Sequence, residues 1–83
     1  MRLRFSRHAK NNMRLYGIAR EEVRKAINSP DSISSEVKRQ VVMKRFPGRF
    51  SGYPLKVVFA RDNDNILVVT SYPLKSARWR ERG

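Results

Sequence analysis

The sequence contains no cysteine, a single histidine and no long apolar run, and these absences narrow what the protein can be. Without thiols there is no disulfide and no thiolate zinc site. The opening residues, MRLRFSRHAKNNM, lack the apolar stretch of a signal peptide. No segment approaches the roughly 18 apolar residues of a membrane helix. We therefore expect a soluble, cytoplasmic protein that has no membrane partner.

Acidic residues are also scarce: seven Asp and Glu stand against nineteen Lys and Arg, for a formal net charge of +12. Residues 1–18 hold five basic side chains and no acidic one. Such a surface accumulates polyanions. The charge-rich surface of thermophile proteins is a poor match, because there Glu rises together with the basic residues. The composition favours nucleic acid or an acidic protein as the partner.

The chain shows no internal repeat and no linker, so its 83 residues predict one domain, 1–83, with a basic C-terminal tail at about 74–83. RLRF at 2–5 predicts a short strand. RHAKNNMRLY, between an N-cap Ser6 and Gly17, predicts a first helix. AREEVRKAIN predicts a second helix, which ends before Pro30.

Three further strands are predicted in the C-terminal half, at 36–46, 53–61 and 66–72. The short DNDN turn between the last two predicts an antiparallel pair, with Arg61 opposite Ile66 and Val57 opposite Thr70. The order β-α-α-β-β-β predicts a single α+β domain with two N-terminal helices packed on an antiparallel sheet.

Several motifs in order resemble a known family. FSRHAKNNMRLYGIAREEVRKAINSPD and, near the end, VVTSYP are similar to the matching segments of small proteins grouped with the RelE/ParE-like toxins, BrnT-like proteins among them. The resemblance implies two N-terminal helices on an antiparallel sheet. It also implies a superfamily that includes ribosome-dependent and free ribonucleases, gyrase poisons and members without demonstrated activity. Since one fold hosts several functions, the resemblance leaves the activity open.

His8 is the first candidate catalytic residue, because an imidazole commonly acts as a general acid or base near neutral pH. It also matches the family's histidine at the start of the first helix. The alternative is a structural histidine at the rim of the apolar stripe. A single histidine forms no two-histidine pair, so its partner in RNA cleavage would be Lys, Arg, Tyr or Glu.

Tyr72, with Thr70, matches the strand-end motif of the family. It would stack on or orient an RNA base, or act near a 2′-hydroxyl. The alternative is that both residues close the core over the helices, which the predicted pairing with Val57 favours.

Cations on the strands and their hairpin complete the candidate site: Lys56 and Arg61 in the predicted catalytic set, and Arg45 and Arg49 as phosphate contacts. In a metal-free ribonuclease such cations stabilise charge that develops on the phosphate. Phosphate binding without catalysis needs the same residues, so the two functions stay open.

The tail adds Lys75, Arg78, Trp79 and Arg80 as predicted nucleic-acid contacts. An aromatic ring beside two guanidinium groups is a combination that binds single-stranded nucleic acid. The same tail would also suit an acidic antitoxin.

Sequence patterns for metals and cofactors are missing: there is no glycine-rich phosphate loop and no pair of histidines at metal spacing. We predict no cofactor and no metal. The first hypothesis is a toxin-type protein that binds RNA, free or on the ribosome, and cleaves it without metal, held in check by an acidic antitoxin. The alternative is a non-enzymatic RNA- or protein-binding module of the same fold. A homodimer is left open.

Overall fold

Two helices and five strands account for most of residues 2–75, the part of the chain that the computed structural model describes. The helices are α1 (Arg7–Tyr16) and α2 (Arg20–Asn28). The strands are β1 (Arg2–Phe5), β2 (Ser32–Glu36), β3 (Arg39–Lys44), β4 (Leu55–Asp62) and β5 (Asn65–Pro73). They form one sheet in the order β1-β5-β4-β3-β2, and a short 3-10 turn, Phe50–Gly52, precedes β4. The predicted α+β class is confirmed.

Local signals at both ends explain where α1 begins and ends. The Ser6 side chain accepts a hydrogen bond from the Ala9 N–H at 3.0 Å, which satisfies one of the free donors of the first turn. Gly17 ends the helix with φ 67°, a left-handed conformation that glycine adopts without a steric penalty. The predicted helix at 7–16 is confirmed.

The second helix begins with a carboxylate that faces its N-terminus. Glu22 accepts a hydrogen bond from the Ala19 N–H at 2.9 Å. Glu21 also lies in the first turn, where the helix dipole favours negative charge. The helix ends at Asn28, before Pro30, as predicted.

The predicted strand at 36–46 is wrong, because the chain turns within it. Lys38 adopts φ 66°, a left-handed value that ends β2 and starts β3 as a hairpin. Val37 lies in this turn and is 88% exposed. The order is therefore β-α-α-β-β-β-β, with one strand more than predicted.

The expectation of a wholly antiparallel sheet is also wrong at one edge. The pairs β2–β3, β3–β4 and β4–β5 are antiparallel, whereas β1 pairs with β5 in parallel. These two strands come from opposite ends of the domain, so no hairpin dictates their relative direction.

Both helices pack on one side of the sheet, which we call the helix-bearing face. Ala9 of α1 and Val23 of α2 are fully buried there. The sheet contributes its most buried apolar side chains to the same core: Val42, Leu55, Val57, Phe59, Ile66 and Val68. Neither helix of the described residues is long and apolar enough to cross a membrane.

Candidate nucleic-acid interface

A β-bulge between β4 and β5 decides where the strand-end motif lies. Arg61 pairs with Ile66, as predicted. The register then shifts, and Thr70 pairs with Val58 rather than with the predicted Val57. A bulge adds one residue to one strand, so every residue beyond it changes face relative to an unbroken ladder.

The shift brings Tyr72 opposite Lys56. The Lys56 Nζ lies 5.7 Å from the centroid of the Tyr72 ring, within the range of a cation–π contact. Ser71 and not Thr70 takes the buried position of the helix-bearing face. The prediction that Thr70 and Tyr72 share a face with Val57 is therefore wrong, and with it the argument that they close the core.

We call the other side of the sheet the open face, since the buried side chains of both helices pack on the opposite side. Apolar side chains occupy its middle. Arg4 lies on the edge strand β1, and Lys56 lies near the start of β4. By strand register it presents Arg4, Val41, Met43, Lys56, Val58, Ala60, Leu67, Thr70 and Tyr72. An apolar surface with cations at its sides is suited to nucleic-acid bases and the phosphates that join them.

Two side-chain hydrogen bonds fasten α1 to the bulged part of β5. The Ser6 hydroxyl donates to the Val69 carbonyl at 2.6 Å. The Asn12 amide donates to the Thr70 hydroxyl at 3.1 Å. Sequence reasoning did not identify Asn12, because its partner is 58 residues away and depends on the bulge.

The other two members of the predicted catalytic set, His8 and Arg61, take no part in the described contact between Lys56 and Tyr72. His8 is exposed on the first turn of α1, on the helix-bearing side of the sheet. Arg61 lies over the ring of Phe59, a residue of the helix-bearing face, at 5.9 Å. Among the four residues, the described contact is the one between Lys56 and Tyr72.

Arg49 joins the β3–β4 connection to the helices. Its Nε and Nη2 donate to the two carboxylate oxygens of Glu22 at 2.6 and 2.9 Å. Nη2 also donates to the Gly17 carbonyl at 2.6 Å. The guanidinium lies 4.7 Å from the centroid of the Phe50 ring. The predicted phosphate contact thus already has carboxylate and carbonyl partners within the fold.

The same contact changes the titration of Glu22. The hydrogen bonds from Arg49 lower the pKa of the Glu22 carboxyl below its usual value. Partial burial opposes this effect, and the Ala19 N–H adds to it. For the same reason the pKa of Arg49 is raised. Glu22 and Gly17 were not predicted as site residues. Through Arg49, they hold the β3–β4 connection in place.

The remaining predicted contacts lie at other places. The Arg45 N–H donates to the Asp31 carboxylate at 2.8 Å, and its Nη1 donates to the Gly52 carbonyl at 3.2 Å. Lys75 lies over the Tyr16 ring of α1 at 5.6 Å. The other predicted tail contacts, Arg78, Trp79 and Arg80, lie outside the described residues.

One protein-family model matches the chain over residues 5–73, and its description is a domain of unknown function, DUF4258. The chain belongs to the DUF4258 family. No curated protein and no solved structure matches it. The match extends from the last residue of β1 to the last residue of β5, so both helices and the Lys56–Tyr72 pair lie within the DUF4258 domain.

The DUF4258 description assigns no chemistry, so the function must be argued from the site itself. Within residues 2–75, no three His, Cys, Asp or Glu side chains are grouped as a metal site would require. The open face offers a ligand cations, an aromatic ring and apolar side chains, and near the β4–β5 turn a carboxylate and an amide, those of Asp62 and Asn65.

Proposed function

We propose that this DUF4258 domain is a small RelE/ParE-like, toxin-type protein that binds single-stranded RNA with the open face of its sheet. The observation that carries the proposal is the pairing of Lys56 with Tyr72, with 5.7 Å between the ammonium and the ring centroid. It supports RNA because one pair supplies a stacking ring and a phosphate-binding cation together.

The environment of the pair fits this use. Tyr72 and Lys56 are both half-buried, so their side chains are held in place yet reachable from solvent. Neighbouring positions of the open face are apolar, among them Val58 and Met43, which are half-buried as well. A base that leaves water to stack there replaces hydrated apolar surface, which is favourable.

The net charge of +12 supports the same partner at longer range. Arg2 and Arg4 lie on β1, and Arg7, Lys10 and Arg14 lie on α1, so the N-terminal part of the domain attracts polyanions. Binding of this type weakens steeply as salt is added, because phosphate contacts release counterions.

Metal-independent RNA cleavage is a second candidate function, and the same contact favours it. Lys56 would stabilise the charge that develops on the phosphate, while the Tyr72 hydroxyl would donate or accept a proton. His8 and Arg61 take no part in this contact, so the cleavage proposed from it uses Lys56 and Tyr72.

An acidic antitoxin-like protein belongs to the proposal as the regulator. A basic domain of this charge is complementary to an acidic chain as well as to RNA. Competition between the two for the same cations would make RNA binding depend on the acidic partner.

The test is the affinity of the full chain for fluorescently labelled single-stranded RNA, measured by anisotropy over a series of salt concentrations. Tyr72→Ala is expected to weaken binding about tenfold, since a stacked base contributes about 1–3 kcal/mol. Tyr72→Phe, which keeps the ring, is expected to bind like the wild type.

Lys56→Ala is compared with Lys25→Ala, which removes the same charge from an exposed position of α2. Loss of one phosphate contact reduces the slope of log affinity against log salt by about 0.7 for a single strand. Equal effects of the two lysine variants, or wild-type affinity in Tyr72→Ala, would contradict the proposal.

RNA cleavage is followed in the same samples, with and without ribosomes and in the presence of EDTA. If Tyr72 transfers a proton, Tyr72→Phe reduces the cleavage rate about 100-fold or more while binding is unchanged. Binding without cleavage leaves an RNA-binding module.

A further inference from the structure

A second cleft lies on the open face, at the opposite end of β4 from Lys56. It has a volume of about 270 Å³. Its lining residues come from β1 and from both sides of the β4–β5 turn: Arg4, Ala60, Asp62, Asn65, Ile66 and Leu67. None of these side chains belongs to the site predicted from the sequence.

The strand register explains why these side chains meet. Ala60 pairs with Leu67, and Asp62 pairs with Asn65, across β4 and β5. Arg4 of β1 pairs with Leu67 from the other side. Leu67 is 43% exposed although it is a large apolar side chain, so the floor of the cleft is accessible to a ligand.

The cleft combines three kinds of group. Ala60 and Leu67 form an apolar floor, on which a flat aromatic ligand can lie. At the rim, the Asp62 carboxylate only accepts hydrogen bonds, while the Asn65 amide both donates and accepts them. Arg4 brings a guanidinium, which suits a phosphate or the face of a base.

From this arrangement, we propose that the cleft binds one base of the RNA and selects guanine. The inference rests on the proposed function, because it adds a base-specific subsite to the same open face. Ala60 lies four positions after Lys56 in β4, a distance of about 13 Å along the strand. One single strand lying across the face would therefore reach both places.

The preference for guanine follows from the hydrogen-bonding capacity of the Asp62 carboxylate. The Watson–Crick edge of guanine presents two N–H donors side by side, at N1 and N2, and a carboxylate accepts both. Adenine and cytosine each present an unprotonated ring nitrogen beside the amino group, which would face a carboxylate oxygen unfavourably. The Asn65 amide, a donor at the same rim, would pair with the O6 acceptor of guanine.

The experiment measures affinities of the full chain for six-nucleotide RNAs that contain only adenine or a single guanine at each position in turn. The structure predicts one favoured guanine position, with binding about tenfold tighter than to the adenine-only RNA. Asp62→Asn is expected to remove this preference.

Asp64→Asn is the matched control, because Asp64 lies in the same turn and only its backbone carbonyl takes part in a described bond, with the Arg2 N–H. Both variants remove one negative charge, so electrostatics alone predicts slightly tighter binding of every RNA in both. If the cleft selects guanine, only Asp62→Asn lowers the affinity for the guanine-containing RNA relative to the affinity for the adenine-only RNA. Asn65→Ala provides a second variant with the same expected direction.

Each result has a definite meaning. If wild type binds all the RNAs equally, or if Asp62→Asn and Asp64→Asn keep the same preference, the guanine subsite is wrong while RNA binding through Lys56 and Tyr72 stands. A preference for a base other than guanine overturns the inference as well. If no RNA binds, the proposed function itself is wrong.

Discussion

The two faces of the sheet use the same strands for opposite purposes. In β4, Leu55, Val57 and Phe59 point to the helix-bearing face and are at most 1% exposed. Lys56 and Val58, which alternate with them, point to the open face and are only half-buried. One face holds the domain together, and the other remains available to a ligand.

The difference follows from the size of the domain. Two helices of ten and nine residues cover one face of a five-stranded sheet, and the described part of the chain contains no third helix for the other. Antiparallel sheets can leave one face exposed to water, because successive side chains along each strand point to opposite faces. A small domain thus keeps a broad surface without a separate binding subdomain.

The largest effect should come from truncating the helix-bearing face. Phe59→Ala is expected to lower the free energy of unfolding by about 3–5 kcal/mol, because it removes a buried ring and leaves a cavity. Leu67→Ala, on the open face, should cost less than about 1 kcal/mol. Chemical denaturation of both variants measures the contrast, and similar losses would mean that the two faces do not differ as described.

The ion pair between Arg49 and Glu22, which we call the clamp, should contribute less to the stability of the fold, and its contribution should depend on pH. It holds a connection whose Phe46 and Phe50 pack against the core. Glu22→Gln is expected to lower the melting temperature by about 2–5 °C at pH 7, with Glu21→Gln as an exposed control.

The sign of the pH effect follows from the lowered pKa of Glu22. A carboxyl whose pKa is lower in the folded state adds stability above its unfolded pKa and loses it as the pH falls through the folded one. The difference in melting temperature between wild type and Glu22→Gln should therefore shrink below about pH 4.5. A constant difference down to pH 2 would show that the carboxylate charge is not what stabilises the clamp.

The smallest effect is expected at Ser71, the polar residue that the bulge places in the core. Its hydroxyl is buried and has no hydrogen-bond partner in the described structure. Ser71→Ala should be neutral or raise the free energy of unfolding by up to about 1 kcal/mol. Ser34→Ala on the exposed β2 is the control, and a clear loss of stability in Ser71→Ala would mean that the hydroxyl is satisfied in solution.

The helices could be predicted from sequence because their signals are local. The Ser6 cap, the left-handed Gly17 and the stop before Pro30 act within a few residues of the backbone they control. The turn between β4 and β5 was predicted in the same way, from the short DNDN segment.

The candidate site could be predicted only in part. Lys56 and Tyr72 were identified by residue type and motif, but their contact requires the shifted register of β5. Arg49 was predicted as a phosphate contact, whereas its partner in the fold, Glu22, lies 27 residues earlier in the chain. The hairpin of β2 and β3 was missed because a left-handed Lys38 leaves no glycine or asparagine signal.

The sequence by itself therefore determined the basic charge, the two helices, the α+β class and the residues available for binding. The tertiary structure decided which of those residues meet. A single extra residue in β5 moves Tyr72 to the open face beside Lys56, and β1 joins the sheet in parallel so that Arg4 reaches Leu67. The physical reason is that strand pairing is a contact between distant segments, and a change of one residue in register reverses every side chain that follows.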